Sequence, residues 1–244
     1  MPLPLTQVIQ RLKTIAPLNL AESWDNVGLL IEPDQKQDVS SILLTIDLTE
    51  DVVQEAVDVG AQLIISYHPN IFKPLKSVTQ STWKERIIVK CIKNNITVFS
   101  PHTTWDAMEN GVNDWLASSF SIKDSKPIIP NSVNPNIGLG RLLSLTDPVT
   151  LREVIESVKS NIGIPHLRLG LGKGKTLESP IVSVALCAGS GASVLNATQR
   201  GINVILCNHS DSERGYLQKF KTLLADEQLN IFVSKVDKDC LTTV

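Results

Sequence analysis

A chain of 244 residues is long enough for one large α/β domain or two lobes around a buried core. Its 42% hydrophobic, 5% aromatic and 20% charged residues are ordinary for a globular protein in water. The net charge of −2, without a block of Lys or Arg, gives no reason to expect direct nucleic-acid binding or an anionic membrane surface, and no apolar run approaches the roughly 20 residues that span a bilayer.

The predicted elements begin with an amphipathic helix inside residues 1–20, where Val8, Leu12 and Ile15 share a face and Thr6 is the expected N-cap. Arg11 and Lys13, with no acid before Glu22, also fit a transit peptide, but that stretch lacks Ser and the helical reading is preferred. Trp24-Asp25-Asn26-Val27-Gly28 reads either as a turn that needs Gly28 for its backbone freedom or as a segment whose Asp25 and Asn26 line a cleft.

Alternating strands and helices come next. Residues 41–47 form an apolar strand, 49–59 a helix stopped by Gly60, and 61–67 a second strand running into His68-Pro69. A helix over 83–93 leads to a third strand, 96–100, which delivers Pro101-His102. Strands joined by helical crossovers run parallel, so Asp47, His68 and His102 are expected at one edge of one sheet, where open α/β sheets place their ligands. Another helix is expected over 111–120, and the polar, Pro- and Asn-rich stretch 123–140 reads as a linker between an N-terminal lobe (1–122) and a C-terminal lobe (141–244).

In the second half, a strand at 141–145, a helix around 151–160 and strands near 166–171 and 181–187 are expected. Ala188-Gly189-Ser190-Gly191 then turns into a helix ending near Arg200, and 202–207 is a strand delivering Asn208-His209. The Gly-Ser-Gly turn could cradle a phosphate, but a plain tight turn explains it better. The cysteines (Cys91, Cys187, Cys207, Cys240) form no CxxC pair, and the first three, in apolar runs, read as buried free thiols rather than a disulfide framework.

Three of the four histidines follow strand-like runs, and two begin a pair with a carboxylate four residues on: His102 with Asp106, and His209 with Glu213. On a helix that spacing puts both side chains on one face, and imidazole with carboxylate suits Zn, Mn or Fe(II). The absence of Cys among them argues against a purely structural zinc site. A His after a strand is as readily a turn residue and such a pair a solvated helix pair, so spacing alone leaves both readings standing. His166, in an apolar stretch, reads as structural.

The segments ESWDNVGLLIE (Glu22–Glu32), LIISYHPNIF (Leu63–Phe72), SPHTTWDAMENGVNDWLA (Ser100–Ala117), LCAGSGASVL (Leu186–Leu195) and NHSDSERG (Asn208–Gly215) occur in the order that marks the NIF-three-like family, and the chain resembles its eukaryotic branch in a short form. That family also carries the label GTP cyclohydrolase I type 2. The resemblance implies two α/β lobes with mostly parallel sheets, a ring-shaped homo-hexamer and a dinuclear metal centre. It assigns metal ligation to His68, Asp106, His209 and Glu213, with His102 as a further candidate. Tyr67 stands where many bacterial members have a second His, and Tyr67 and Trp105 are candidates to hold a purine ring. It also implies a metal-dependent hydrolase or, in a second reading, a transcription co-regulator or scaffold acting through proteins, in the cytoplasm and also the nucleus or mitochondrion. The family pattern has one more strand and a turn after Leu195, so the C-terminal lobe reads as shortened.

Overall fold

The computed structural model describes residues 2–34, 36–189 and 200–239. The chain divides into one compact unit holding Met1–Trp105 with Leu217–Cys240, and a second holding Asp106–Tyr216.

The first unit is built on a five-stranded sheet in the order Asn230–Val233, Ser41–Thr45, Leu63–Ser66, Thr97–Ser100, Gly28–Ile31. Its first three pairings are parallel and the last is antiparallel. Every residue of Ser41–Thr45, Leu63–Ser66 and Thr97–Ser100 is buried, which explains why these strands are continuous apolar runs rather than alternating ones. The crossover helices Glu50–Asp58 and Trp83–Lys93 start where the sequence provides caps. Thr49 accepts from the Val52 amide, and Thr82 with Glu85 forms a full capping box. Their inner faces (Val52, Val53, Ala56 and Ile87, Ile88, Cys91) join Leu43, Ile64 and Val98 in one apolar cluster.

The N-terminal helix spans Leu5–Ile15 and buries Leu5, Val8, Ile9 and Leu12, but Thr6 does not cap it. Pro4 precedes the helix, and Leu3–Pro4 pairs with Asp38–Val39, so the strand pairing and the Leu5 amide bonded to the Gln37 carbonyl (2.9 Å) set the helix start.

The second unit contains an antiparallel sheet in the order Pro180–Leu186, Arg141–Thr150, Ile122–Lys126, and a separate antiparallel pair, Arg168–Gly170 with Val204–Leu206. The α/β class is as expected, while parallel pairing is confined, among the described residues, to the first unit. The helix Leu151–Ile162 is closed by a Thr150–Glu153 capping box and by Gly163 in the left-handed region (φ 79°). Arg141, only 3% exposed, is neutralised by an ion pair with Asp114 and donates to the Gly138 and Gly140 carbonyls, both at 2.7 Å.

The expected boundaries, 1–122, 123–140 and 141–244, do not match these units. Residues 123–140 are woven into the second unit: Ile122–Lys126 pairs with Arg141–Thr150, and Ile129–Pro130 pairs with Gly138–Leu139 across a turn in which Asn131 Oδ1 accepts from the Val133 and Asn134 amides. Leu217–Cys240 returns to the first unit because Asn230–Val233 adds a parallel strand beside Ser41–Thr45. The helix expected after Gly189, and the segment after Leu195, fall largely on residues outside those described. His166 lies exposed in a loop rather than in a strand.

Among the described residues, no helix is long and apolar enough to cross a membrane. Cys91 is buried, as read from its apolar run, whereas Cys187 is exposed and Cys207 half-buried. Burial pushes the Cys91 thiol up to about 12, so almost no thiolate exists at neutral pH. Iodoacetamide labelling of native protein at pH 8, read by peptide mass spectrometry, is therefore expected to mark Cys187 well before Cys91, and Cys91 only after denaturant is added.

Candidate metal centre

In the first unit, three of the four parallel strands (Ser41–Thr45, Leu63–Ser66 and Thr97–Ser100) end at one edge, and the loops beyond them carry the expected residues. His68 follows Leu63–Ser66 and donates from Nδ1 to Asp47 Oδ1 at 2.9 Å, Asp47 lying just past the neighbouring Ser41–Thr45 strand. His102 follows Thr97–Ser100 and donates from Nδ1 to Asp25 Oδ1 at 2.7 Å. The two imidazole centroids are 5.5 Å apart. In each pair a carboxylate fixes which ring nitrogen carries the proton, leaving Nε2 as the lone-pair acceptor, the arrangement in which histidines bind metals.

In the Trp24–Gly28 segment, Asp25 is a buried carboxylate. Its side chain is fully enclosed; burial by itself pushes its carboxyl up, but hydrogen bonds from His102 and Thr103 outweigh this and hold it below the usual carboxylate value. Both the Thr103 hydroxyl and its amide donate to Oδ2. Gly28 nonetheless does need its freedom, with φ at 101°. His102 itself sits at φ 37°, a left-handed backbone that a histidine adopts only when its surroundings hold it there.

Tyr67 and Trp105 are not available to a ligand. Each is 1% exposed, with Trp105 packed on Phe220 at a ring separation of 4.0 Å and on Tyr67 at 5.9 Å. Adjacency in sequence to His68 and Asp106 places them under the edge, inside the core.

The second unit assembles its own carboxylate and imidazole set. His209 Nε2 is 3.1 Å from Glu213 Oε1, with Glu213 almost completely buried and His209 half exposed. Burial first, and then the negative charges of Asp106 and Glu213, push the Cys187 thiol up. A relay of hydrogen bonds holds these turns together. Buried Asn113 donates from Nδ2 to the Asp106 carbonyl (2.9 Å) and accepts at Oδ1 from the Ala188 amide (2.9 Å). The adjacent Gly189 amide donates to Ser212 Oγ (2.9 Å), whose hydroxyl donates to the His209 carbonyl (2.7 Å).

Gly189 is also the wall of the site. At φ 76° its missing Cβ would lie 3.0 Å from Glu213 Oε1 and 3.2 Å from His209 Nε2. The hydrogen in its place leaves open the space beside both of these atoms, and an imidazole with a carboxylate is a donor set that suits divalent zinc, manganese or iron. Asn113 and Ser212 are not among the residues that sequence reasoning singles out; the available signal for Asn113 is a polar residue inside the otherwise apolar buried run of the Val112–Ala117 helix.

Residues 3–200 match the family model Duf34/NIF3 (NGG1p interacting factor 3). The chain belongs to the Duf34/NIF3 family. Among relatives, it is 44% identical to "NIF3-like protein 1" of Drosophila melanogaster over 98% of this chain and 89% of that one. It is 32% identical to a "GTP cyclohydrolase 1 type 2 homolog" of Clostridium perfringens over 96% and 97% of the two chains. The Drosophila alignment runs over 263 positions against the 244 residues here, so this NIF3 chain lacks residues that relative has. Among solved structures, the Staphylococcus aureus protein SA1388 superposes with a TM-score of 0.87 at 26% identity over both whole chains. A Bacillus cereus protein related to NIF3 does so with a TM-score of 0.85 at 19% identity over 98% of each, a likeness of fold alone.

Because Asn113 bonds the buried Ala188 amide and the half-buried Asp106 carbonyl at once, Asn113→Ala removes both bonds and leaves the Ala188 amide without this acceptor. This is expected to lower unfolding free energy by about 2–4 kcal/mol, measured by urea denaturation. Asn161→Ala, which removes a longer (3.3 Å) bond to the Trp115 carbonyl, should cost about 1 kcal/mol or less.

Proposed function

We propose that this NIF3 family member is a divalent-metal-binding protein with His68, Asp106, His209 and Glu213 as its metal ligands and His102 as a further candidate ligand, and that it acts as a metal-dependent hydrolase. The observation that carries the reading is the clear space that Gly189 leaves against Glu213 Oε1 and His209 Nε2. The first unit supports it independently, because both of its site histidines are oriented by carboxylates with Nε2 left as acceptor. His102 immediately precedes the helical turn Thr103–Ala107, and Asp106 lies within it.

A divalent ion held there supplies an acidified water and polarises an oxygen or carbon centre of the substrate. The chain's own groups supply orientation. Asp47 and Asp25 each hold an imidazole by its Nδ1 proton, which orients the ring and assigns the Nε2 atom the acceptor role. The Asn113–Ser212 relay keeps the Asp106 and His209 turns from separating when charge is brought between them. The name printed for the Clostridium relative suggests GTP as the first substrate to try. Oligomeric assembly and a protein partner, in line with the family description as an interacting factor, belong to the same proposal.

Elemental analysis of protein purified without chelator is expected to find about one or two divalent ions per chain, falling by more than half in His209→Ala and Glu213→Ala. Zinc, manganese or iron at no more than trace level would overturn the centre. Metal present with no ring-opened product from GTP would remove cyclohydrolase activity and leave the metal site.

Gly189→Ala separates crowding from strain. Gly163 has nearly the same backbone (φ 79°) but nothing within 4 Å of an added Cβ. Both alanine variants are expected to lose about 1–2 kcal/mol of stability from the left-handed backbone. Only Gly189→Ala is expected to lose bound metal, read by the same elemental analysis.

A further inference from the structure

Trp24 and Phe72 are left in solvent, 58% and 40% exposed, beside the histidines of the first unit. A lone exposed aromatic ring needs no explanation, but these two are placed and held. Their ring centroids lie 6.1 Å apart with planes at 62°, so they form a corner rather than a stack. Both also meet the His102 ring edge to face, at 6.0 Å and 78° from Trp24 and at 6.4 Å and 87° from Phe72.

The loops carrying them are pinned on either side of the rings. Asp25, next to Trp24, is bound by His102 and by two donors of Thr103. Asn26 donates from Nδ2 to the carbonyl of Ile71, the residue before Phe72, so the two loops are tied to each other. A corner of two rings held open toward solvent offers one flat face and one perpendicular wall to a planar ligand. The ordering entropy of both loops is already offset by these bonds, so less is lost when a ring settles against them. Stacking also tolerates any flat heteroaromatic ring, whereas the burial of Tyr67 and Trp105 removes the other aromatic candidates at this edge.

We propose that Trp24 and Phe72 form the stacking site for a planar heteroaromatic ring, of the purine type, in the substrate of the metal centre. This rests on the metal-dependent reading for what happens to the ligand, but not for whether the ring binds. Trp24 and Phe72 are binding residues that set specificity; neither reaches the reacting atoms by its own chemistry.

The test uses the full-length, metal-loaded protein and isothermal titration with two probes, GTP and inorganic tripolyphosphate. Trp24→Ala is expected to weaken GTP binding by at least about fivefold, while leaving tripolyphosphate binding and metal per chain unchanged. Trp24→Tyr, which keeps a ring, should stay within about twofold of wild type, and Phe72→Ala should follow Trp24→Ala in direction. Equal weakening of both probes, or no weakening of either, overturns the proposal. So does a change of native mass in Trp24→Ala, because the pair would then be covering a contact with a second copy of the chain. A separate titration of guanosine into chelator-treated protein, followed by tryptophan fluorescence, reads stacking without metal. Saturable quenching lost in Trp24→Ala supports the site even if the metal centre fails. Wild-type protein that binds neither GTP nor guanosine overturns it.

Discussion

The first unit depends on the register of three fully buried parallel strands. Thr45 pairs with Ser66, and Ile65 with Phe99, so the strands stop nearly level and the loop after each must emerge at the same edge. With no polar face to offer, these strands cannot slip without moving apolar side chains out of the core against the helices that cover them. The consequence is chemical. Asp47, His68 and His102 come from separate parts of the chain, yet the apolar register alone brings their backbones together, and only then can a carboxylate reach an imidazole.

The second unit reaches the same end by different means. Its described pairings are antiparallel, and the turns that carry Asp106, His209 and Glu213 are not the ends of level strands. There the turns are joined side by side through buried polar bonds from Asn113 and Ser212, each of which connects one turn to the next. Such a relay is rigid only while every member is satisfied, because a buried amide without a partner costs more than the bond contributes when formed. This gives the glycine at 189 two duties: its backbone takes a left-handed turn, and its amide closes the relay while no side chain intrudes on Glu213 or His209.

Much of this is readable from the residues. Continuous apolar runs flanked by Thr caps announce the parallel strands and their crossovers, and the histidines at the run ends are placed with them. Partners fixed by three-dimensional contact are not readable in this way. Asp25 lies 77 positions from His102 and nothing local to it signals a buried carboxylate. The boundary between the units is misleading because a Pro- and Asn-rich stretch has the composition of a linker, yet its prolines and asparagines shape the turn of a short hairpin. The returning strand Asn230–Val233 is invisible for the opposite reason: four residues carry no signal of which distant strand they will join.

The aromatic residues at this edge show why adjacency in sequence is a poor guide to what a ligand meets. Tyr67 and Trp105 neighbour the site residues along the chain but are buried, and Tyr67 packs its ring edge to face against His68 (5.1 Å) and His102 (5.7 Å), so it backs the imidazoles from inside the core. Trp24 and Phe72 approach His102 through space and stay exposed while meeting its ring edge to face. The strained backbone of His102 fits this arrangement. A left-handed histidine would relax unless something opposed it, and Asp25 opposes it by holding the ring while Thr103 holds Asp25. The same carboxylate therefore fixes the imidazole, the turn that carries it and the loop that positions Trp24, which couples the orientation of the His102 ring to that of the exposed rings beside it.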